Sequence, residues 1–300
     1  MKRNIIPYVL VQFVLVFLLS SCEKFEYSPY EVRLKNGEKD LNAKNVARIE
    51  ALNLRASDTV RFVLTGDTQG FYGDNDAMVA HVNTRNDVAF VLHGGDITDF
   101  GLLKEHKLIH RSLRKLKVPC VAVVGNHDAT NNGKEVYQAM YGDFDFSFTV
   151  GRRKFIFLNT NYLEFDKQAP NLSWLEQQFA DTSQYDQVFV VSHIPPTSNE
   201  FGKEKSRRYE EIINKYKASF SIHGHNHSFD YYRMTADGVV HPQESIDNLN
   251  NFGEVNLTNS SSANSAQIGV EHIHVPTTSK REYIVMTAYN GGVEFERVAF

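Results

Sequence analysis

An α/β fold follows from two features of this 300-residue chain: five short apolar runs, each stopped by Gly, Asp or His, and helical patterns between them. The runs are R-F-V-L-T-G-D (61–67), A-F-V-L-H-G-G-D (89–96), C-V-A-V-V-G-N-H-D (120–128), Q-V-F-V-V-S-H (187–193) and S-F-S-I-H-G-H-N-H (219–227). Each is dense in Val, Ile or Phe, as expected of strands buried on both faces. Strands that alternate with helices build a largely parallel sheet.

The elements follow in order. A polar stretch over 22–58 reads as a tether carrying one helix around Val46–Leu54, with the main domain over 59–300. Between the runs, Asp74–Thr84 and Lys134–Tyr141 are helix candidates. Leu102–Leu116 is a third, with Leu102, Leu103, Leu108, Ile109, Leu113 and Leu116 as its apolar positions. Ser173 followed by Glu176 reads as a capping box that starts a helix over W-L-E-Q-Q-F. Phe144–Val150 and Lys154–Asn159 read as a hairpin closed by G-R-R. Beyond His227, strands are expected at Phe229–Met234, Tyr283–Ala288 and Val293–Val298. Asn161–Pro170, Pro195–Ser206 and Asn248–Gln267 read as loops able to set specificity.

A net charge of −4 and a pI near 6.3 give no electrostatic case for nucleic-acid binding. Lys2 and Arg3 precede an apolar run from Tyr8 to Leu19, too short to span a bilayer comfortably but suited to a signal peptide over 1–21. The run ends in L-S-S-C and resembles a bacterial lipoprotein signal. That implies a lipidated Cys22 as the mature N-terminus, on a chain exported and anchored to a bacterial membrane; the alternative is an ordinary signal peptide with an incidental Cys22. The other cysteine, Cys120, then has no disulfide partner and is expected to pack as a small hydrophobe.

Every strand run ends in a possible metal ligand: Asp67, Asp96, Asn126 with His127, His193, then His225 and His227. In α/β sheets ligands gather beyond the carboxyl ends of the strands, so five such ends can meet at one crevice. Mixed oxygen and imidazole donors suit Mn, Zn or Fe. They are too many for one tetrahedral ion and suit two ions about 4 Å apart.

G-D-T-Q, G-G-D-I-T-D, G-N-H-D, S-H-I-P-P and G-H-N-H, in that order, resemble the motifs of the calcineurin-like metallophosphoesterases. The resemblance implies a four-layer α-β-β-α sandwich and hydrolysis of a phosphate mono- or diester by two divalent or trivalent ions with a bridging hydroxide. Carried over by residue, Asp67 and His227 hold the first ion, Asp96 bridges, and Asn126, His193 and His225 hold the second. His127 faces the substrate phosphate, and Asp99 and Asp128 orient the ligands. The chain departs from the common Asp-x-His at its first motif. Gln69 stands there, either as an amide ligand to the first ion or as a hydrogen-bond partner of bound water. Pyrophosphate-bond hydrolysis of nucleotide-linked substrates uses the same metals and stays open. So does a lipid-anchored binding protein without catalysis, for which Gln69 is the one supporting feature.

Other polar residues carry blander expectations. His93 and His223 read as packed or hydrogen-bonded histidines, and His272 and His274 as surface residues. Asp143 and Asp145 are expected in a solvated turn, while Asn159 and Asn161 either line the pocket or merely follow a strand. Lipidation at Cys22 has a direct check. The wild-type chain should partition with detergent and Cys22→Ser with water; equal partitioning into water would remove the anchor.

Overall fold

The computed structural model describes residues 28, 30–235, 238–241, 254–255 and 269–300. The signal segment, Cys22 and most of Asn248–Gln267 lie outside these residues. Val32–Phe300 form one compact unit. In chain order it contains α1 (Leu41–Glu50), β1 (Val60–Thr65), α2 (Tyr72–Val82), β2 (Phe90–His93), α3 (Leu103–Leu113) and β3 (Cys120–Ala122). Next come α4 (Gly133–Tyr141), β4 (Phe146–Val150), β5 (Arg153–Leu158), α5 (Leu172–Gln178), β6 (Gln187–Ser192), α6 (Lys203–Lys215) and β7 (Phe220–His223). The remainder is β8 (Asp230–Thr235), β9 (Gly238–Val240), β10 (Glu254–Val255), β11 (Glu271–His274), β12 (Glu282–Tyr289) and β13 (Gly292–Ala299).

Two sheets result. The first runs β10-β13-β12-β1-β2-β3 and the second β4-β5-β6-β7-β11-β8-β9. β1, β2 and β3 are parallel, as are β5, β6, β7 and β11. Strand alternation divides each apolar run between two cores. Phe62, Leu64, Phe90 and Leu92 face Phe155, Phe157, Phe189 and Phe220 between the sheets. Val63 and Val91 turn outward onto Met78, Val79, Ile109 and Tyr137 of the helices on that side. Ile156, Leu158 and Val190 turn the other way, onto Leu175, Phe179, Tyr209 and Ile212. This is the four-layer α-β-β-α sandwich. The central layer is locked by edge-to-face rings, with Phe155 at 5.2 Å from Phe62 and 5.3 Å from Phe90.

The helix read into the tether starts earlier than its expected Val46, and it packs into the compact unit. Leu41 and Ile49 are buried in it. Asn42 also closes the free edge of β3, donating to the Ala122 carbonyl at 2.9 Å and accepting from the Ala122 N–H at 2.9 Å. Helix α5 is capped two residues before the expected cap, because the Asn171 side chain, not that of Ser173, accepts from the Trp174 N–H at 3.1 Å. Glu176 instead meets Arg208 and Lys215 of α6. Helix α6 itself was not foreseen: only Tyr209, Ile212 and Ile213 of it are buried, a thin apolar stripe among charges.

β11 is the larger correction. His272 and His274 are buried rather than superficial, since β11 inserts between β7 and β8. Asp145 also departs from expectation. Its carboxylate accepts from the Asn159 N–H at 2.7 Å, and burial pushes it up to about 6. Cys120 packs at the edge of the outer core, as expected.

Asn42→Ala should lower stability by about 1–3 kcal/mol, because it strands a buried backbone N–H on β3. Urea unfolding reads this as a lower midpoint at unchanged slope, and an unchanged midpoint would contradict the edge-closing role.

Candidate metal centre

The carboxyl ends of β1, β2, β3, β6 and β7 turn toward one another. The turns fit because glycines let backbones touch. A Cβ on Gly125 would sit 2.1 Å from the Asp96 N and Oδ1 atoms, and one on Gly224 would sit 2.7 Å from the Gly94 carbonyl and 3.0 Å from Asp67 Oδ2. Five candidate ligands adopt left-handed backbone: Asp67 (φ 48°), Gln69 (25°), Asp96 (52°), His225 (72°) and His227 (57°). Each such residue costs on the order of 1–3 kcal/mol and persists only where its surroundings enforce it. Residue type alone gives no sign of this strain.

Asp67, Asp96 and His193 are fully buried or nearly so, and each offers a ligand atom within 4.8 Å of the others'. His193 Nε2 lies 3.3 Å from Asp96 Oδ2 and 3.0 Å from Asn126 Oδ1, which is itself 3.2 Å from His225 Nδ1. His193 Nδ1 lies 2.8 Å from the Gly94 carbonyl, so that nitrogen carries a hydrogen and Nε2 faces the cluster. His227 Nε2 lies 3.5 Å from Asp67 Oδ1, which also accepts from the His225 N–H at 3.1 Å. All the motif residues carried over as ligands are therefore brought to one place. Gln69 turns its amide nitrogen to Asp96 Oδ2 at 3.1 Å, so it acts as a donor to that carboxylate.

Electrostatics reinforce the case for a cation. Burial pushes the Asp67 carboxyl well above its ordinary range, against the pull of His193. Burial acts the same way on Asp96, but His193 and His127 hold it below that range. Burial lowers His225 to about 4, with His193 adding to the effect. Among the described residues, Asp67 Oδ2 is buried with no hydrogen-bond partner. An orphaned carboxylate oxygen beside another carboxylate and imidazole nitrogens is a donor set that fits divalent metal ions.

The residues expected to orient the ligands act differently from one another. Asp128 is buried and accepts from the N–H groups of Ile97, Thr98 and Gly125 and from the Thr98 hydroxyl, tying the β2 and β3 turns together. It thus fixes backbone rather than a ligand side chain. Asp99 contributes its carbonyl, which lies 2.8 Å from His127 Nδ1. A carbonyl only accepts, so Nδ1 carries a hydrogen and Nε2 is the free nitrogen of His127.

The remaining polar residues sort by contact. His93 is buried against Thr68 at 3.1 Å. His223 is buried between Ser192 and Ser221, each at 2.9 Å. Asn161 donates to the Val124 carbonyl and to Asn159, so this pair braces the β3 turn. From the loops expected to carry specificity, Glu200 Oε2 comes within 3.8 Å of His225 Nε2. Thr277, absent from the sequence reading, donates its hydroxyl to the Asp67 carbonyl at 2.7 Å. A lone Thr beyond the motifs carries no signal that would have found it.

A buried carboxylate–imidazole cluster at parallel strand ends of a four-layer sandwich defines the metallophosphoesterase class. The calcineurin-like phosphoesterase profile matches residues 60–229, and the chain belongs to that family. A rat serine/threonine-protein phosphatase, CPPED1, is 28% identical over 184 residues, covering 45% of this chain and 59% of that protein. Its bovine counterpart is 32% identical over 139 residues, covering 39% and 44%. The chain thus matches about half the length of these relatives. Yellow lupin purple acid phosphatase shares the fold at a TM-score of 0.58 with 15% identity, over 82% of this chain and 52% of that one. GAP50, the anchor in the inner membrane complex of Plasmodium, shares it at 0.53 with 14% identity, over 80% and 84%.

Proposed function

We propose that the protein hydrolyses phosphoesters at a two-metal centre, outside the cytoplasm, on a chain tethered through lipid on Cys22. The observation that carries the catalytic reading is the orphaned Asp67 Oδ2 beside Asp96 and His193. Asp67 and His227, with Gln69 adjacent, would hold one ion. Asn126, His193 and His225 would hold the other, and Asp96 would be shared. Bound ions of this kind supply Lewis acidity, lowering the pKa of water and neutralising charge on the phosphoryl group.

The chain's own residues do the rest. Gln69 steadies Asp96 by donating to its Oδ2 at 3.1 Å, and the His127 N–H donates to Oδ1 at 3.0 Å. The Asn126 side chain, between His193 and His225, lies where it can meet phosphoryl oxygens. Water forms the new P–O bond, and the ester P–O bond breaks. The attacking water gives up a proton to solvent, and the leaving oxygen takes one from Nε2 of His127 in the state where both ring nitrogens carry hydrogen, with Nδ1 fixing the ring on the Asp99 carbonyl. The relatives' phosphatase names support the phosphoester class, and the L-S-S-C sequence supports the anchor.

Asp96→Asn removes a charge shared by both proposed ions, so metal content and turnover of an aryl phosphodiester should fall together. Chelation of the wild type should abolish turnover, and Mn²⁺ should restore it. Full occupancy with unchanged turnover in Asp96→Asn would remove the shared-ligand assignment. His127→Ala should slow alkyl esters by about 10²–10⁴-fold and esters of acidic phenols far less. Equal losses across a graded leaving-group series at saturating metal would rule out the acid role.

A further inference from the structure

The five motifs end at His227, yet both metal-binding turns that face each other across the sheets are fastened by one later segment, His274-Val275-Pro276-Thr277. It leaves the end of β11, the strand missing from the sequence reading. His274 is buried, and its Nδ1 lies 2.8 Å from the Asn226 side-chain Nδ2. An amide nitrogen only donates, so Nδ1 accepts and the hydrogen of His274 sits on Nε2. That nitrogen donates to the Tyr232 hydroxyl at 3.1 Å. The Val275 N–H donates to the His223 carbonyl at 2.7 Å. The Thr277 N–H donates to the His227 carbonyl at 3.4 Å, its hydroxyl donates to the Asp67 carbonyl at 2.7 Å, and the residue bridges to Gly66.

These contacts fall where the backbone is under strain. Asp67, His225 and His227 are left-handed, and Asn226 lies between the two histidines. Left-handed non-glycine backbone needs outside contacts to persist. Asn226 cannot turn outward without breaking its bond to His274. Asp67 and His227 are held together by the two polar groups of a single threonine.

We propose that His274 and Thr277 are positioning residues, a strap that holds the Asp67 and His225–His227 turns in the geometry that binds metal. This rests on the reading of Asp67, His225 and His227 as ligands. Thr277 touches the two residues assigned to the first ion, so its effect falls chiefly there. His274 acts through Asn226 on both histidines, so its effect falls on both ions. Partners that orient ligands without touching the metal contribute about 10–100-fold in affinity.

The test is Mn²⁺ binding to the full-length chain in detergent, stripped by chelator and titrated by calorimetry, with circular dichroism to confirm folding. Thr277→Val is nearly isosteric and should weaken the first ion by about 10-fold or more while leaving the second close to wild type. His274→Leu should weaken both, and His274→Gln, which keeps an acceptor, should restore most of the loss. Should His274→Leu fail to fold, Thr277→Val decides. Wild-type affinity and stoichiometry in Thr277→Val overturn the strap. So does a His274→Gln variant as impaired as His274→Leu. His225→Ala separates the two readings. Unchanged Mn²⁺ binding there removes the ligand assignment itself, whereas lost binding there with intact strap variants removes the strap alone.

Discussion

Asp67 and Asp96 end neighbouring parallel strands, β1 and β2, and both carboxylates are buried against His193. An unpaired buried charge costs several kcal/mol after relaxation. His193 pairs with Asp96 and is lifted to about 9 by it, although burial opposes that charge. Asp67 is left with an oxygen that no group among the described residues satisfies. The surrounding architecture sustains this arrangement. The layered sheets exclude water, interlocking glycine turns bring strand ends within contact, and Asp128 ties the β2 and β3 turns through four accepted hydrogen bonds.

The fold and the site also share a division of labour along each strand. In β1, Phe62 and Leu64 hold the two sheets together, Val63 holds the helices, and the candidate ligand Asp67 comes only after the strand has ended at Thr65. Placing the chemistry at the strand ends leaves the aromatic interior unbroken. The strain of the five left-handed site residues is then carried by the rigid layers behind them. Thr277 and His274 show that this support is not confined to the motif-bearing half of the chain.

Much of this was legible in the sequence because the signals are local. A continuous apolar run followed by a small residue and a candidate ligand announces both the strand and its functional end. All five such runs became strands, with the motif residues gathered beyond them. The sandwich's four layers came from the family resemblance, since a run buried on both faces does not say which face meets which layer. β11 was missed because E-H-I-H reads as polar alternation, and only its insertion between β7 and β8 buries both histidines. Helix α6 was missed because three buried residues among charged ones make a faint stripe. Asp128 was foreseen as important, but its partners are backbone groups, which a sequence cannot display. The left-handed backbone of the candidate ligands was invisible for a related reason: Asp, Gln and His do not demand that conformation.

The most direct measurement of the central claim is anomalous diffraction from crystals of the Mn²⁺-loaded protein, collected at the manganese edge. The account predicts two peaks that share the Asp96 carboxylate. One should also contact Asp67 and His227, and the other Asn126, His193 and His225. A single peak away from Asp96, or metal bound while Asp67 Oδ2 stays unpartnered, would contradict it.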